Sequence, residues 1–311
     1  MKGAGMKRII SKKKNLIVAT VCFLATMLAS TSMAQVTPTL DTSPVRIAFN
    51  GDGNLLVSDY TYGQILTVTP DTLDIIGELT INGRPLGVAW ANGLTYVGNS
   101  TTQQVEVYNV YGQEQFVLGY GNYPITAPQD IAIGNSNVYV VDGGAKMVKI
   151  FGQDGFYQGT IPQSGYDNNI LANPTAVTVD DTNQKIYVSD YGDLGINKTI
   201  PPRIQVFNFD GTLAYTINSG TANKYRFNMP QGLVVNGNNQ LFVIDSNTAE
   251  IQVFNATNGT LLSKLKGTGI TSGVNAMKLP LDLVIDSTTN NVFVTNSRMA
   301  SIKVFEGAGG I

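Results

Sequence analysis

Pro230-Gln-Gly-Leu-Val-Val235, Leu241-Phe-Val-Ile-Asp245 and Ile251-Gln-Val-Phe254 are three short apolar runs separated by turns, and the chain carries that arrangement six times. The leading prolines are Pro44, Pro85, Pro128, Pro174, Pro230 and Pro280, at steps of 41, 43, 46, 56 and 50 residues. An Asp or Asn follows each proline by 14 to 16 residues: Asp59, Asn99, Asp142, Asp190, Asp245 and Asn296. The third run ends at Val68, Tyr108, Phe151, Phe207, Phe254 and Phe305, 9 residues past the Asp or Asn in five copies and 17 in the fourth. The runs alternate apolar and other residues at period two and are rich in Val, Ile, Tyr and Phe, as strands require. A Gly- or Asn-containing hairpin then leads to a fourth strand in five copies, near Leu79, Leu118, Ile161, Ile217 and Leu265. Repeats of 40 to 50 residues with four strands each predict an all-β fold, a six-bladed β-propeller of four-stranded antiparallel blades.

The sixth copy lacks its fourth strand, because the sequence stops soon after Phe305. A propeller closes its ring to hide sheet edges. The expected closure uses Val36 to Asp41 as the outer strand of the last blade, where Pro38 is tolerable on an unpaired edge.

Residues 1–34 stand outside the repeat. Lys2, Lys7, Arg8, Lys12, Lys13 and Lys14 precede an apolar run from Leu16 to Leu28 and the small-residue site Ser32-Met33-Ala34. That order predicts a cleaved signal peptide and an exported protein, periplasmic or extracellular at the cell surface. The propeller is then residues 35–311. It keeps 14 Lys+Arg against 22 Asp+Glu, a net charge of −8, which opposes nucleic-acid binding. It has no histidine and, with Cys22 in the leader, no cysteine. A disulfide framework, haem attachment, a His/Cys zinc site and a Ser-His-Asp or Cys nucleophile are thereby excluded. No apolar stretch after the leader is long enough to span a bilayer.

The consensus Pro-x-Gly-[Leu/Val]-x-[Val/Ile], [Leu/Ile/Val]-[Phe/Tyr]-Val-x-[Asp/Asn], [Ile/Val]-x-Val-[Phe/Tyr] resembles the NHL repeat of six-bladed propellers. The likeness is closest from Pro230 to Phe254 and extends over essentially all of residues 35–311. It departs from the family after the Asp, where the usual Asn-Arg is replaced by Tyr-Thr-Tyr-Gly-Gln after Asp59 and Ser-Asn-Thr-Ala-Glu after Asp245. The resemblance implies two enzyme types among similar propellers. Amidating and streptogramin lyases depend on histidines, which are absent. Gluconolactonase-like enzymes hold a central cation with Glu, Asn and Asp, yet Glu78, Glu106, Glu114, Glu250 and Glu306 all lie away from the inner-strand starts.

Three groups of residues are candidates for function. The Asx ring (Asp59, Asn99, Asp142, Asp190, Asp245, Asn296) recurs in every copy, which suits turn capping rather than catalysis. The residue two after each proline varies: Arg46, Gly87, Asp130, Ala176, Gly232 and Asp282. It is expected at the mouth of the central channel, where Asp130 and Asp282 would hold a hard cation such as Ca²⁺ or be neutralised by Arg46. Long loops carrying Tyr166, Tyr191 and Tyr225 gather on the rim that receives the strand-two ends, an aromatic and polar surface suited to a protein or glycan partner. The expected function is therefore an exported, non-catalytic binding scaffold needing no cofactor. The alternative is a metal-dependent lactonase-like propeller with Ca²⁺ on Asp130 and Asp282.

Overall fold

The structure is a computed structural model that describes residues 35–36, 42–162, 171–193, 200–218, 227–266 and 276–310. The leader expected over residues 1–34 lies outside the described residues. Residues 34–311 form one compact unit.

Six four-stranded antiparallel sheets make six blades. Blade 1 comprises Pro44–Phe49, Leu55–Asp59, Gln64–Val68 and Ile75–Thr80. Blade 2 comprises Pro85–Ala91, Leu94–Asn99, Gln104–Asn109 and Glu114–Leu118. Blade 3 comprises Pro128–Gly134, Asn137–Asp142, Met147–Gly152 and Tyr157–Ile161. Blade 4 comprises Pro174–Asp180, Lys185–Asp190, Arg203–Asn208 and Leu213–Asn218. Blade 5 comprises Pro230–Val235, Gln240–Asp245, Glu250–Asn255 and Leu261–Lys266. Blade 6 comprises Pro280–Ile285, Val292–Asn296 and Ser301–Phe305, with Gln35–Val36 as its outer strand. Neighbouring first strands touch in sequence, and the first strand of blade 6 returns to that of blade 1, which closes the ring.

The closing strand pairs Gln35 with Val304 and Val36 with Lys303. It begins one residue earlier than the sequence reading placed it, and 37–41 lie outside the described residues. Without it the third strand of blade 6 would expose a row of unpaired backbone groups. Deleting residues 35–42 is therefore expected to lower the melting temperature by roughly 5 °C. An unchanged calorimetric transition would show that the pairing contributes nothing.

Apolar residues of the second and third strands fill the wedges between blades. Tyr96, Tyr139, Tyr187, Phe242 and Phe293 occupy one register position on successive second strands, and all are buried. In every blade the ladder between the first two strands slips just after the leading proline, between Pro44 and Ile47 and between Pro128 and Asp130 for example. A bulge bends its strand and re-aims a side chain. Six bulges at one level around the axis thus turn the residues two after each proline toward the centre.

Candidate functional site

Arg46 crosses the axis from blade 1. Its Nε donates to the Gln129 carbonyl of blade 3 at 3.1 Å, its Nη1 to the Leu281 carbonyl of blade 6 at 3.3 Å, and its Nη2 to the Thr175 carbonyl of blade 4. Asp130 and Asp282 flank it, with carboxylate oxygens 3.5 Å from Nε and 3.7 Å from Nη1. All three side chains are buried. The opposite carboxylate oxygens accept backbone N–H groups of the next blade, Val177 for Asp130 and Ile47 for Asp282, each at 3.0 Å. The triad is therefore a staple between blades as well as a plug.

Sequence explains how it fits. Around the ring the axial residues read Gly87, Asp130, Ala176 and then Gly232, Asp282, Arg46, two half-rings alike except for their last member. Ala176 leaves open, opposite blade 1, the space into which Arg46 extends. Each glycine sits against its neighbouring aspartate: a Cβ on Gly87 would come 2.9 Å from the Asp130 backbone, and one on Gly232 within 2.5 Å of the Asp282 Cα.

Burial raises the Asp282 carboxyl, Arg46 opposes the rise and Asp130 adds to it, so that it is pushed up to about 7. Burial likewise raises Asp130 against the pull of Arg46 and the backbone N–H groups of Val177 and Ile131. Hard cations take six to eight oxygen ligands. Here a guanidinium stands between two carboxylates whose other oxygens are committed to backbone N–H groups, a donor set that does not fit Ca²⁺. Among the described residues no three His, Cys, Asp or Glu side chains gather as metal ligands.

The Asx ring does different work. Each member is fully buried at the end of a second strand. Asp142 accepts the Ala145 N–H of its own turn and the Thr126 and Ala127 N–H groups that lead into Pro128. Asp190 does the same with Gly192, Ala172 and Asn173, and Asp245 with Thr248, Asn228 and Met229. Asn99 takes Thr101 and Arg84, while Asn296 takes Lys278 and Asp59 takes Thr61 and Tyr62. In five blades the ring residue thus ties the entering loop to the strand-two end. Of the rim tyrosines, Tyr191 is half-buried with its backbone N–H on the Asn173 carbonyl. Tyr166 and Tyr225 lie outside the described residues.

The NHL repeat family model matches residues 227–254, the entry to blade 5 and its first three strands. The human NHL repeat-containing protein 3 is 26% identical over 184 residues, which is 55% of this chain and 51% of that protein. The chain is a six-bladed β-propeller that carries an NHL repeat. It spans about half the length of the human relative it matches. Two solved structures have a TM-score of 0.60 at 12% identity. One is Kuenenia stuttgartiensis hydrazine synthase, with 90% of this chain and 98% of that one covered. The other is virginiamycin B lyase from Staphylococcus aureus, with 88% and 97% covered. At that identity the likeness is one of fold.

One set of functional positions in this propeller escaped the sequence reading. The middle residue of each third strand is Leu66, Glu106, Lys149, Gln205, Gln252 and Lys303, and the last five are buried polar groups. Three of them complete the Asx latch. Lys149 lies 2.8 Å from Asp142, Gln205 3.3 Å from Asp190, and Glu106 accepts the Asn99 amide at 2.9 Å. Burial raises Asp142, but Lys149 and the bonds from Thr126 and Ala145 outweigh it and hold the carboxyl below its usual range. Among these three the acid goes with Asn99 and a cation or amide with Asp142 and Asp190, whereas blade 1 has Leu66 with Asp59 and blade 6 has Lys303 with Asn296.

Proposed function

We propose that this propeller is an exported, non-catalytic binding scaffold that engages a protein or glycan partner on its loop-rich rim. The observation that carries this reading is the Arg46–Asp130–Asp282 plug. The axial position is taken up by a buried network that spends its donors and acceptors on the protein itself. The absence of histidine removes the ligand type on which lyase-like propellers depend. The rim still offers aromatic surface, since Tyr62 and Tyr120 are exposed there and the Arg84 guanidinium stands 5.2 Å over the Tyr60 ring. Aromatic residues and arginine are the groups on which partner binding concentrates. Export is supported by the basic, apolar and small-residue order of residues 1–34. Among the described residues no helix is long and apolar enough to cross a membrane.

The test is a thermal melt of the full chain, stripped with EDTA and titrated with Ca²⁺, Mg²⁺ and Zn²⁺. The expected result is a transition constant within about 1 °C. A saturable rise that Asp130→Asn or Asp282→Asn abolishes would favour the metal-dependent lactonase-like reading instead. The binding half is tested by photo-crosslinking residues placed at Tyr62 and Tyr120 in cells. Discrete adducts are expected at both, and their absence would remove the rim as the partner surface.

A further inference from the structure

The clefts between blades are not all filled alike. Strand pairing puts Gly77, Phe116, Gly159, Tyr215 and Ser263 at one position of the fourth strands, opposite Thr67, Val107, Ile150, Val206 and Val253. Phe116 packs against the core between blades 2 and 3, and Tyr215 against that between blades 4 and 5. Where blade 3 has Gly159, Phe209 of the next hairpin packs in from blade 4. Blade 1 has neither device. Its fourth strand carries Gly77, the third-strand residue opposite is the polar Thr67, and Val110, in the place of Phe209, is exposed. The core beneath contains six buried residues, against nine to eleven at the other five junctions.

A ring-sized space is left between blades 1 and 2, part of a cavity of about 430 Å³. That volume is within the roughly 300–1,000 Å³ of small-molecule sites. The cavity opens at the Asn50 and Tyr111 hairpins, on the side away from the loop-rich rim. Trp90 lies on its wall against Gly51, where any Cβ would come 2.4 Å from the indole ring. Thr67, Thr95 and Asp52 also line it, while Glu78, paired with Leu66, is on the opposite face of the strand from Gly77. The side chains of Thr67, Thr95 and Asp52 make no hydrogen bond or ion pair among the described residues. No Lys or Arg is in the lining.

An aromatic wall joined to two free hydroxyls, with a carboxylate at the mouth, suits a ring with an apolar C–H face and a hydroxyl edge. A wholly apolar ring would leave Thr67 and Thr95 without partners, and an anionic one would meet the Asp52 carboxylate, of its own sign. We infer that the cleft between blades 1 and 2 binds a neutral hexopyranose, its face on Trp90 and its hydroxyls bonded to Thr67, Thr95 and Asp52. The site goes beyond the rim reading and does not depend on it.

Trp90 is the one tryptophan in the chain, so its emission reports this cleft alone. The experiment titrates the full chain with cellobiose, maltose and lactose, with galacturonic acid and p-cresol as contrasting probes. At least one neutral disaccharide is expected to change the emission saturably. Asp52→Asn is expected to weaken that response roughly tenfold, by loss of a charge-assisted acceptor. Gly77→Phe copies Phe116 into the cleft and is expected to abolish binding while keeping or raising the melting temperature. A Cβ there meets only Thr67, at 3.6 Å. Thr67→Val, which restores the aliphatic residue of the other blades, is expected to weaken binding should the phenylalanine variant fold poorly. The inference is overturned if no neutral disaccharide saturates, if only p-cresol or galacturonic acid does, or if binding survives a folded Gly77→Phe. None of these outcomes bears on the rim, which the crosslinks test separately.

Discussion

Arg46→Met is expected to destabilise the propeller by about 3–5 kcal/mol, the usual cost of breaking a buried ion pair by removing one partner. Methionine keeps much of the volume but leaves Asp130 and Asp282 facing each other at the axis without a cation, and frees the carbonyls of Gln129, Leu281 and Thr175. The loss should depend on pH, and its sign follows from the carboxyls. In the fold Asp282 holds its proton up to about pH 7, against an ordinary value of 3.8. Its contribution is complete below the ordinary value, declines as pH rises toward 7, and is constant above. Removing Arg46 raises both carboxyls further, since its charge is what lowers them. The variant should therefore lose more at pH 8 than at pH 5, where a neutral pair tolerates burial. Adding Asp130→Asn and Asp282→Asn is expected to recover most of the loss, the amides donating to the carbonyls that arginine released. Urea unfolding at both pH values decides the matter, and an equal loss at the two would mean that Arg46 acts by packing alone.

The plug also marks where a sequence stops being readable. The prolines and the Asx ring were legible because every blade needs the same entry and the same turn, so each signal appears six times. The axial residues were legible as a set, since their position relative to the proline is fixed by a bulge that all six blades share. That Arg46 reaches blade 4 was not legible. It depends on Ala176 across the ring, 130 positions away in the chain, which only closure brings opposite. The same limit hid the cleft at Gly77. A glycine in an outer strand looks like a weakened strand when its blade is read alone. Its meaning appears when Phe116 and Tyr215 are seen filling the equivalent spaces. The rim, by contrast, was read from loop length and tyrosine content, which do not fix where a side chain points; Tyr191 is half-buried.

The second large effect lies in the latch of blade 2. Asn99 is fully buried, and its Nδ2 donates to Glu106 at 2.9 Å and to the Asn82 carbonyl at 3.2 Å. Asn99→Asp keeps the shape but turns that donor into an acceptor against two acceptors. It also sets a second carboxylate beside Glu106, which already takes the hydroxyls of Thr102 and Tyr108. Nearby burial offers little solvent to screen the pair. A loss of about 3–5 kcal/mol at neutral pH is expected, shrinking near pH 4–5 as one carboxyl takes a proton. Blade 3 shows why aspartate is otherwise suited to this place: Asp142 has Lys149 where Asn99 has Glu106. Asn99→Asp combined with Glu106→Lys rebuilds that pair in blade 2. The double variant should be more stable than the two single losses added together, by at least about 2 kcal/mol of coupling. Four urea curves complete the cycle. Additive losses would mean that ring residue and third-strand residue are independent, and that the pairing of Asn99 with Glu106 and of Asp142 with Lys149 has no energetic basis.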